Sequence, residues 1–228
     1  MMRPRSSRSD AGLTLLELLV AMGVSSILIA LVATVFVTTS RVFTDQEGAT
    51  DSARMASTAM NEVTRVVRAG TELPESGKTA NTPVFAYAGA EKIEMAAFID
   101  AESSKDPAPV KVSFGRNSAN ELVETRWAAD RYLKIYWKFR DSPASARTIA
   151  RSLLAPDKTR PLFRYFDKDG AALTPAAGAS LSEDQRRNIA SVQITMQVQA
   201  NGSGRTAPVA IQNMVGLPNL GVARVEVK

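Results

Sequence analysis

The stretch "LTLLELLVAMGVSSILIALVATVFV", Leu13 to Val37, decides how the first part of the chain folds. The twenty residues from Leu18 to Val37 carry no charge. As an α-helix rising 1.5 Å per residue they would cover roughly 30 Å, which is the thickness of the hydrocarbon core of a bilayer. The stretch therefore predicts a transmembrane helix segment at 13–37.

A short basic leader, residues 1–12, precedes this segment. It contains three arginines against one aspartate, together with a proline and several serines. Positive charge collects on the cytoplasmic side of a membrane span, so we expect the leader in the cytoplasm and everything after Val37 outside. The sequence thus predicts a single-pass protein with an extracytoplasmic head.

Two features distinguish this N-terminus from an ordinary secretory signal. A secretory signal has an apolar core of about 7 to 15 residues with the small-residue cleavage site behind it, whereas the small pair Ala11-Gly12 stands in front of a longer run. Glu17 lies inside that run, and a carboxylate in a membrane span costs about 3 kcal/mol on insertion scales. Either the carboxylate has a protein partner, or it reaches the interface by snorkelling from near the helix start.

These residues resemble the N-terminus of the type IV prepilin family, which includes pilins and the pseudopilins of type II secretion. The resemblance implies a leader ending at Gly12, cleavage between Gly12 and Leu13 by a prepilin peptidase, N-methylation of Leu13, and Glu17 as an assembly residue fifth in the mature chain. The sequence departs from the family in two places. Leu13 stands where phenylalanine is commonest, and Thr34 stands where major pilins often carry a helix-kinking proline.

The resemblance also implies partners for the N-terminal helix. Cleavage frees an α-amino group with an ordinary pKa near 8, and the Glu17 carboxylate of a neighbouring subunit would neutralise its charge in the low dielectric of the membrane. The partners expected on this basis are the peptidase, other pilins or pseudopilins, an inner-membrane assembly platform and the lipid bilayer. The expected location is the inner membrane and then a pilus or pseudopilus filament.

A helical pattern continues from the transmembrane segment into residues 38–70. The small and apolar residues that recur there at spacings of three and four are Ala49, Ala53, Ala56, Met60, Val63 and Val67. This spacing predicts an amphipathic extension that packs on one side, with a bend possible at the polar "TDQEG" that ends in Gly48. Gly70 is predicted to cap the helix, and Pro74 blocks its continuation.

Residues 71–228 are predicted to form a β-rich head. The run "RYLKIYWKFR" (131–140) alternates like one strand with Leu133, Ile135, Trp137 and Phe139 on a single face. In "ASVQITMQVQ" (190–199) the predicted inward residues are Val192, Ile194, Met196 and Val198. Shorter candidate strands are "PVFAYAG", "KIEMAAFI", "VKVSF", "ELVETRWA", "PLFRYF" and "APVAIQNMV".

Composition argues against an enzyme. The chain of 228 residues has no cysteine and no histidine, which excludes disulfides, thiolate and histidine chemistry and the usual zinc sites. No catalytic residue, metal site or cofactor is predicted. "DKDG" (167–170) starts like a calcium loop but lacks the closing glutamate, so a hairpin turn is expected.

Nucleic acid binding remains open on one predicted strand face. Tyr132, Lys134, Tyr136 and Lys138 alternate there and could stack on or attract DNA. A solvated strand face explains the same residues as economically. The net charge of +5, from 28 basic and 23 acidic residues, does not decide between the two.

The predicted fold class is α+β and pilin-like, with a long N-terminal helix packed on a β-rich globular head. The runs "FRYFDKDGAAL", "IASVQITMQVQA" and "IQNMVGLPNLG" are similar to the C-terminal part of minor pilins and of the J-type minor pseudopilin. This implies a structural minor subunit that acts in filament initiation or at the tip. The alternative is a singly anchored extracytoplasmic domain that binds a ligand or DNA and does not polymerise.

Overall fold

The computed structural model describes residues 14–78, 80–99, 107–133, 135–156, 159–199 and 208–218. The chain divides into two compact units, the first ending at Gln46 and the second beginning at Glu47. An apolar N-terminal helix is followed by antiparallel β-sheets. The predicted α+β, pilin-like class is confirmed.

The first helix, α1 (Leu15–Arg68), runs through Gly48 without a break. Its C-terminal part is amphipathic as predicted. Of the predicted stripe, Ala56, Met60, Val63 and Val67 are buried, and Ala49 and Ala53 are half-buried. Ala59 and Val66 are fully buried as well, so the inner face of the helix is broader than the spacing alone indicates.

Six antiparallel strands form the first sheet among the described residues. They are β1 (Phe85–Ala88), β2 (Lys92–Ala97), β3 (Val110–Arg116), β4 (Leu122–Tyr132), β5 (Tyr136–Phe139) and β6 (Ser145–Ala150). The order is β1-β2-β3-β4-β5, and β6 also pairs with β4. Strand β6 escaped sequence reasoning because most of its residues are exposed and the sequence "SARTIA" has no apolar alternation.

The second sheet has the order β10-β9-β7-β8. Its strands are β7 (Phe163–Phe166), β8 (Ala172–Leu173), β9 (Ser191–Val198) and β10 (Val209–Gly216), with a short helix, α2 (Glu183–Arg187), before β9. The four predicted inward residues of β9 are all fully buried, which confirms that strand and its face. The two-residue strand β8 and the helix α2 were not predicted.

The "DKDG" segment joins β7 to β8 as a hairpin turn, as expected. One Asp167 carboxylate oxygen accepts hydrogen bonds from the backbone N–H groups of Asp169 (2.9 Å) and Ala171 (2.8 Å). Gly170 has a φ of +80°, a backbone conformation that favours glycine. The aspartate therefore closes the turn internally.

The prediction of one strand over residues 131–140 is wrong. The chain reverses there, so that β4 ends at Tyr132 and β5 returns from Tyr136, with these two tyrosines directly opposite each other. Leu133, at the reversal, has a φ of +47° and is 61% exposed. Alternation of apolar residues predicts a strand only when one face is buried, and these apolar side chains have no core to cover.

The core lies between the two sheets and the inner face of α1. Phe85 of the first sheet and Tyr165 of the second meet edge to face with ring centroids 6.2 Å apart. The Tyr165 hydroxyl donates to the carbonyl of Gly89 at 2.7 Å. Burial raises the pKa of Tyr165 well above its ordinary value, so the phenol stays protonated and the donor is always present.

A cluster of ion pairs ties α1 to the first sheet. Glu62 of α1 accepts hydrogen bonds from the guanidinium groups of Arg126 and Arg147, each at 2.8 Å. Glu124 on β4 is fully buried and accepts a hydrogen bond from the Nε of each of the same two arginines. A hydrogen bond from Arg65, with the nearby guanidinium charges, lowers the pKa of Glu62, so its carboxyl is ionised at neutral pH.

Gly70 follows the end of the helix as predicted, and its N–H donates to the carbonyl of Val67 at 3.1 Å, but the position needs glycine for close packing. Its φ is not positive, and it forms an isolated bridge with Ala97 of β2. A Cβ at this position would lie 2.6 Å from the Met95 methyl carbon and 2.8 Å from Val84 Cγ1. The chain therefore leaves the helix against the sheet at a place where only a hydrogen fits.

Replacing Gly70 with alanine is expected to destabilise the head by about 1 to 3 kcal/mol, the usual cost of forcing an extra methyl group into a packed core. Urea unfolding of the full chain in detergent micelles, followed by tryptophan fluorescence, measures the change. Gly216→Ala is the matched control, because a Cβ there has nothing within 4 Å. Equal stability of the two variants would contradict the packing role of Gly70.

Candidate processing and assembly segment

The first turn of α1 is closed by a capping box between Thr14 and Glu17. The Glu17 carboxylate accepts hydrogen bonds from the backbone N–H and the hydroxyl of Thr14, both at 2.9 Å. In return the Thr14 hydroxyl oxygen accepts a hydrogen bond from the backbone N–H of Glu17 at 3.3 Å. Since α1 begins at Leu15, Thr14 occupies the N-cap position and Glu17 the third helical position, which is the spacing of this motif.

Sequence reasoning assigned Glu17 to assembly and missed this local role. The signal was present, because Thr-x-x-Glu before an apolar run is the sequence signature of a capping box. The same chain repeats the device at α2, where Ser182 is the N-cap and Gln185 completes the box. Glutamine can therefore replace glutamate in the cap without loss of the hydrogen-bond pattern.

The predicted cleavage site lies just before this capped turn in the sequence. Gly12 and Leu13, together with the remainder of the 1–12 leader, are outside the described residues. Cleavage between them, and methylation of Leu13, remain predictions from the sequence. If the cut occurs there, Thr14 is the second residue of the mature chain, and Glu17 lies within one helical turn of the new terminus.

Beyond the cap, α1 presents apolar side chains on every face. Its most apolar part is long and apolar enough to cross a membrane, and none of that part is buried in the protein. The exposed large side chains here are Leu15, Leu16, Leu18, Leu19, Val20, Met22, Val24, Ile27, Leu28, Ile29, Leu31, Val32, Val35, Phe36 and Val37. A helix that is apolar all round and unburied suits lipid or the apolar faces of other helices.

The hydroxyl groups of this segment bond to the helix itself. Ser26 donates to the carbonyl of Met22 at 2.7 Å, and Thr34 donates to that of Ala30 at 2.8 Å. Thr38 makes the same bond one turn further on. Thr34, at the position where major pilins often carry proline, thus keeps the helix intact with its polar group satisfied.

Glu17 is the one ionisable side chain between Leu15 and Ser40. The carboxylate is fully exposed, and its cap uses one of its two oxygens, Oε2. An exposed carboxylate at the N-terminal end of a helix can also accept a hydrogen bond from a cationic group outside the helix. Within the described residues, no group of three or more acidic side chains is placed to hold a metal ion.

The residues considered for DNA binding lie on a hairpin and not on one strand. Tyr132 belongs to β4, whereas Tyr136 and Lys138 belong to β5; Lys134 is outside the described residues. Tyr132 is directly opposite Tyr136, and Asp130 is directly opposite Lys138. Because a carboxylate occupies the same face, the surface is less uniformly basic than the alternating sequence indicates.

Comparison with known proteins identifies the N-terminal segment. Residues 7–33 match the family model described as the prokaryotic N-terminal methylation motif. Comparisons with curated proteins and with solved structures give no match. The matched range contains Gly12, Leu13, Thr14 and Glu17. The capped, lipid-compatible start of α1 therefore lies within a segment that is similar to the prokaryotic N-terminal methylation motif.

Proposed function

We propose that the chain is a structural, non-catalytic minor subunit of a type IV pilus-like filament, acting in filament initiation or at the tip. In this proposal the 1–12 leader is cytoplasmic, a prepilin peptidase cuts after Gly12, and Leu13 is methylated. Segment 13–37 spans the inner membrane, 38–70 extends the helix, and the 71–228 head is extracytoplasmic. The mature protein then passes from the membrane into a pilus or pseudopilus.

The observation that carries the proposal is the methylation motif at the head of an unbroken helix. The apolar first part of that helix is unburied and has no partner surface among the described residues of its own chain. A binding domain held by an ordinary anchor needs neither the motif nor a charged residue inside its span. A filament subunit uses both, the motif for processing and the charge for registration against a neighbour.

Glu17 has two roles in this proposal. Within the chain it caps α1 through Thr14, and in the filament it pairs with the N-terminal ammonium of a neighbouring subunit. Opposite charges in contact attract more strongly in the low dielectric of the membrane than in water. The charge, and not the cap, would therefore decide assembly through the inner-membrane platform.

Replacing Glu17 with glutamine separates these roles. Glutamine retains the cap, as Gln185 does in α2, but it deletes the charge. We expect incorporation into filaments to fall about tenfold or more, because the variant keeps the cap but loses the attraction between the carboxylate and the neighbouring ammonium. The measurement is the ratio of filament-associated to membrane-resident protein in wild type and variant, with processing of each verified by intact mass.

Thr14→Val is the matched control for this experiment. It removes the hydroxyl from the cap, at a cost of about 1 kcal/mol to the first turn, and keeps the Glu17 charge. We expect much of the assembly to survive. If Glu17→Gln assembles like wild type while Thr14→Val fails, Glu17 acts through the cap and the intersubunit pairing is wrong.

A further inference from the structure

Strand β10 forms one edge of the second sheet. All eight of its residues pair with β9, from Val209 opposite Val198 to Gly216 opposite Ser191. In an antiparallel ladder every second residue turns its N–H and C=O away from the partner strand, so half of the β10 backbone groups face the other side. Among the described residues none pairs with β10 on that side. We call this side of the strand the β10 edge.

The β10 edge lacks the features that normally protect the edge of a sheet. Charged side chains, proline, β-bulges or a very short edge strand keep such edges from pairing with other chains. The sequence of β10, "VAIQNMVG", contains no charged residue and no proline. Its register with β9 runs through all eight residues without a bulge. A long, regular and uncharged edge is a template for one more strand.

The inner face of β10 is only partly covered. The four inward side chains of β9 are fully buried. On the same face of β10, Val209, Ile211 and Asn213 are half-buried. On the outer face, Met214 is 55% exposed. A further strand beside β10 would cover apolar surface on both faces of the sheet.

Residues 222–228, "VARVEVK", lie outside the described residues but carry a strand pattern in their sequence. Small or apolar residues alternate there with charged ones in the order Ala223, Arg224, Val225, Glu226, Val227 and Lys228. This is the pattern of a strand with one buried face and one solvated face. Its charged side chains supply the protection that the β10 edge lacks.

The connection between β10 and this segment determines how the two would pair. Pro218, Asn219 and Gly221 are turn-forming residues, and the five residues 217–221 make a loop of ordinary hairpin length. A hairpin with this loop puts Val225 opposite Asn213, on the inner face of the sheet. The charged residues then fall on the outer face. A loop with one residue fewer would turn the charges inward, so the register follows from the alternation.

We propose that segment 222–228 adds to the β10 edge of its own molecule as an antiparallel strand, the fifth strand of the second sheet. Its own molecule is favoured over a second copy, because a five-residue loop holds the segment beside the edge at a high effective concentration. The uncharged strand β10 then lies inside the sheet, and a charged strand forms the new edge. The head is thereby kept from pairing with other extended chains, a role that goes beyond filament assembly and does not require it.

Paired cysteines test this register, because the natural chain has no cysteine. Gln212→Cys and Glu226→Cys, introduced together, would lie directly opposite each other on the outer face. Opposite residues of an antiparallel pair are about 4.5 to 5.5 Å apart between Cα atoms, within the reach of a disulfide. The full-length variant is oxidised in dilute detergent micelles. We expect a monomer whose intact mass is lower by two hydrogen atoms.

The matched control moves one cysteine by a single residue, from Glu226 to Val225. In a paired strand the side chains at 212 and 225 point to opposite faces, so this pair should oxidise at least about fivefold more slowly. In an unpaired segment the two positions would be equally accessible to Gln212→Cys. Equal rates for the two cysteine pairs overturn the proposal.

Amide hydrogen exchange tests the pairing without cysteines. In the full-length protein the amides of 223–227 that face β10 should exchange at least about tenfold more slowly than in a free peptide. Val225→Lys places a charge on the inner face and should abolish this protection. Glu226→Lys, which puts the same residue on the outer face, should retain it. Unprotected amides in the wild-type segment, or equal protection in the two variants, overturn the proposal.

The oligomeric state of the oxidised protein identifies which molecule the segment pairs with. A dimer linked through Gln212→Cys of one copy and Glu226→Cys of another would show strand exchange and overturn the intramolecular pairing. None of these measurements involves leader processing or filaments. A failure here therefore leaves the proposed function untouched, and a failure of the Glu17 experiment leaves the fifth strand untouched.

Discussion

Gly12→Leu is expected to leave the leader attached and to abolish filament assembly. The resemblance to prepilins places the scissile bond after Gly12, and a residue without a Cβ lets a peptidase approach the backbone closely. A leucine side chain there would clash in the cleavage transition state. A penalty of about 1.4 kcal/mol slows the cut tenfold, and steric clashes commonly cost more.

Intact mass of the membrane-extracted protein measures this result. Wild type should have lost residues 1–12 and gained one methyl group, whereas the variant should retain the full leader. Gly23→Leu is the matched control, because Gly23 lies inside α1 and a Cβ added there would have nothing within 4 Å. It should be cut normally. Normal-sized mature protein from Gly12→Leu cells would exclude processing after Gly12.

Glu124→Gln is expected to cost the head about 3 to 5 kcal/mol of unfolding free energy. The glutamate side chain is fully buried, and each of its two oxygens accepts from an arginine Nε. Removing its charge leaves Arg126 and Arg147 with one carboxylate, Glu62, between them, and breaking a buried ion pair at one partner typically costs this amount. Several kcal/mol is a large share of the stability of an ordinary domain.

Urea unfolding of the full chain in micelles tests this expectation against a surface control. Glu91 pairs with Arg116 at 2.8 Å, but its side chain is 46% exposed. Glu91→Gln should therefore cost no more than about 1 kcal/mol, as exposed ion pairs generally do. If the two variants unfold alike, the buried cluster does not hold the helix on the sheet.

Features governed by local periodicity could be predicted from the sequence. The twenty uncharged residues after Glu17 predict a helix that lipid can surround, and α1 has that character. The alternation Val192, Ile194, Met196 and Val198 predicts a strand with one buried face, and all four side chains are buried. In both cases the period of the pattern matches a single environment along the whole element.

Features decided by tertiary contacts could not be predicted. The alternation around Leu133 resembles a buried strand, yet nothing covers it, because the neighbouring strand β3 ends its pairing at Ala128. Gly70 resembles a helix cap in its position, but the side chains of Met95 and Val84 require the glycine. In the sequence, Glu124 looks like an exposed glutamate of a strand. Only the fold shows that its side chain is buried and that it accepts a hydrogen bond from Arg147 of β6.

The roles of Gly12, Leu13 and Glu17 come from the resemblance to prepilins and stay predictions, and the segment that matches the methylation motif contains all three residues. Thr14 was overlooked, although its spacing from Glu17 carries the capping signal. The reversal of the chain at Leu133 required the sheet register, since only the pairing of β4 with β5 shows that Tyr132 and Tyr136 lie opposite each other.

The hydroxyl groups of Ser26, Thr34 and Thr38 would keep their hydrogen bonds if α1 moved from lipid into a protein environment. Each bonds to a carbonyl of its own helix, so these three groups need no partner from their surroundings. A helix extracted from a bilayer into a protein sheath would exchange none of these bonds. The free energy of such a transfer would then depend less on these hydroxyl groups than on the dispersion contacts of the apolar side chains and on the Glu17 carboxylate.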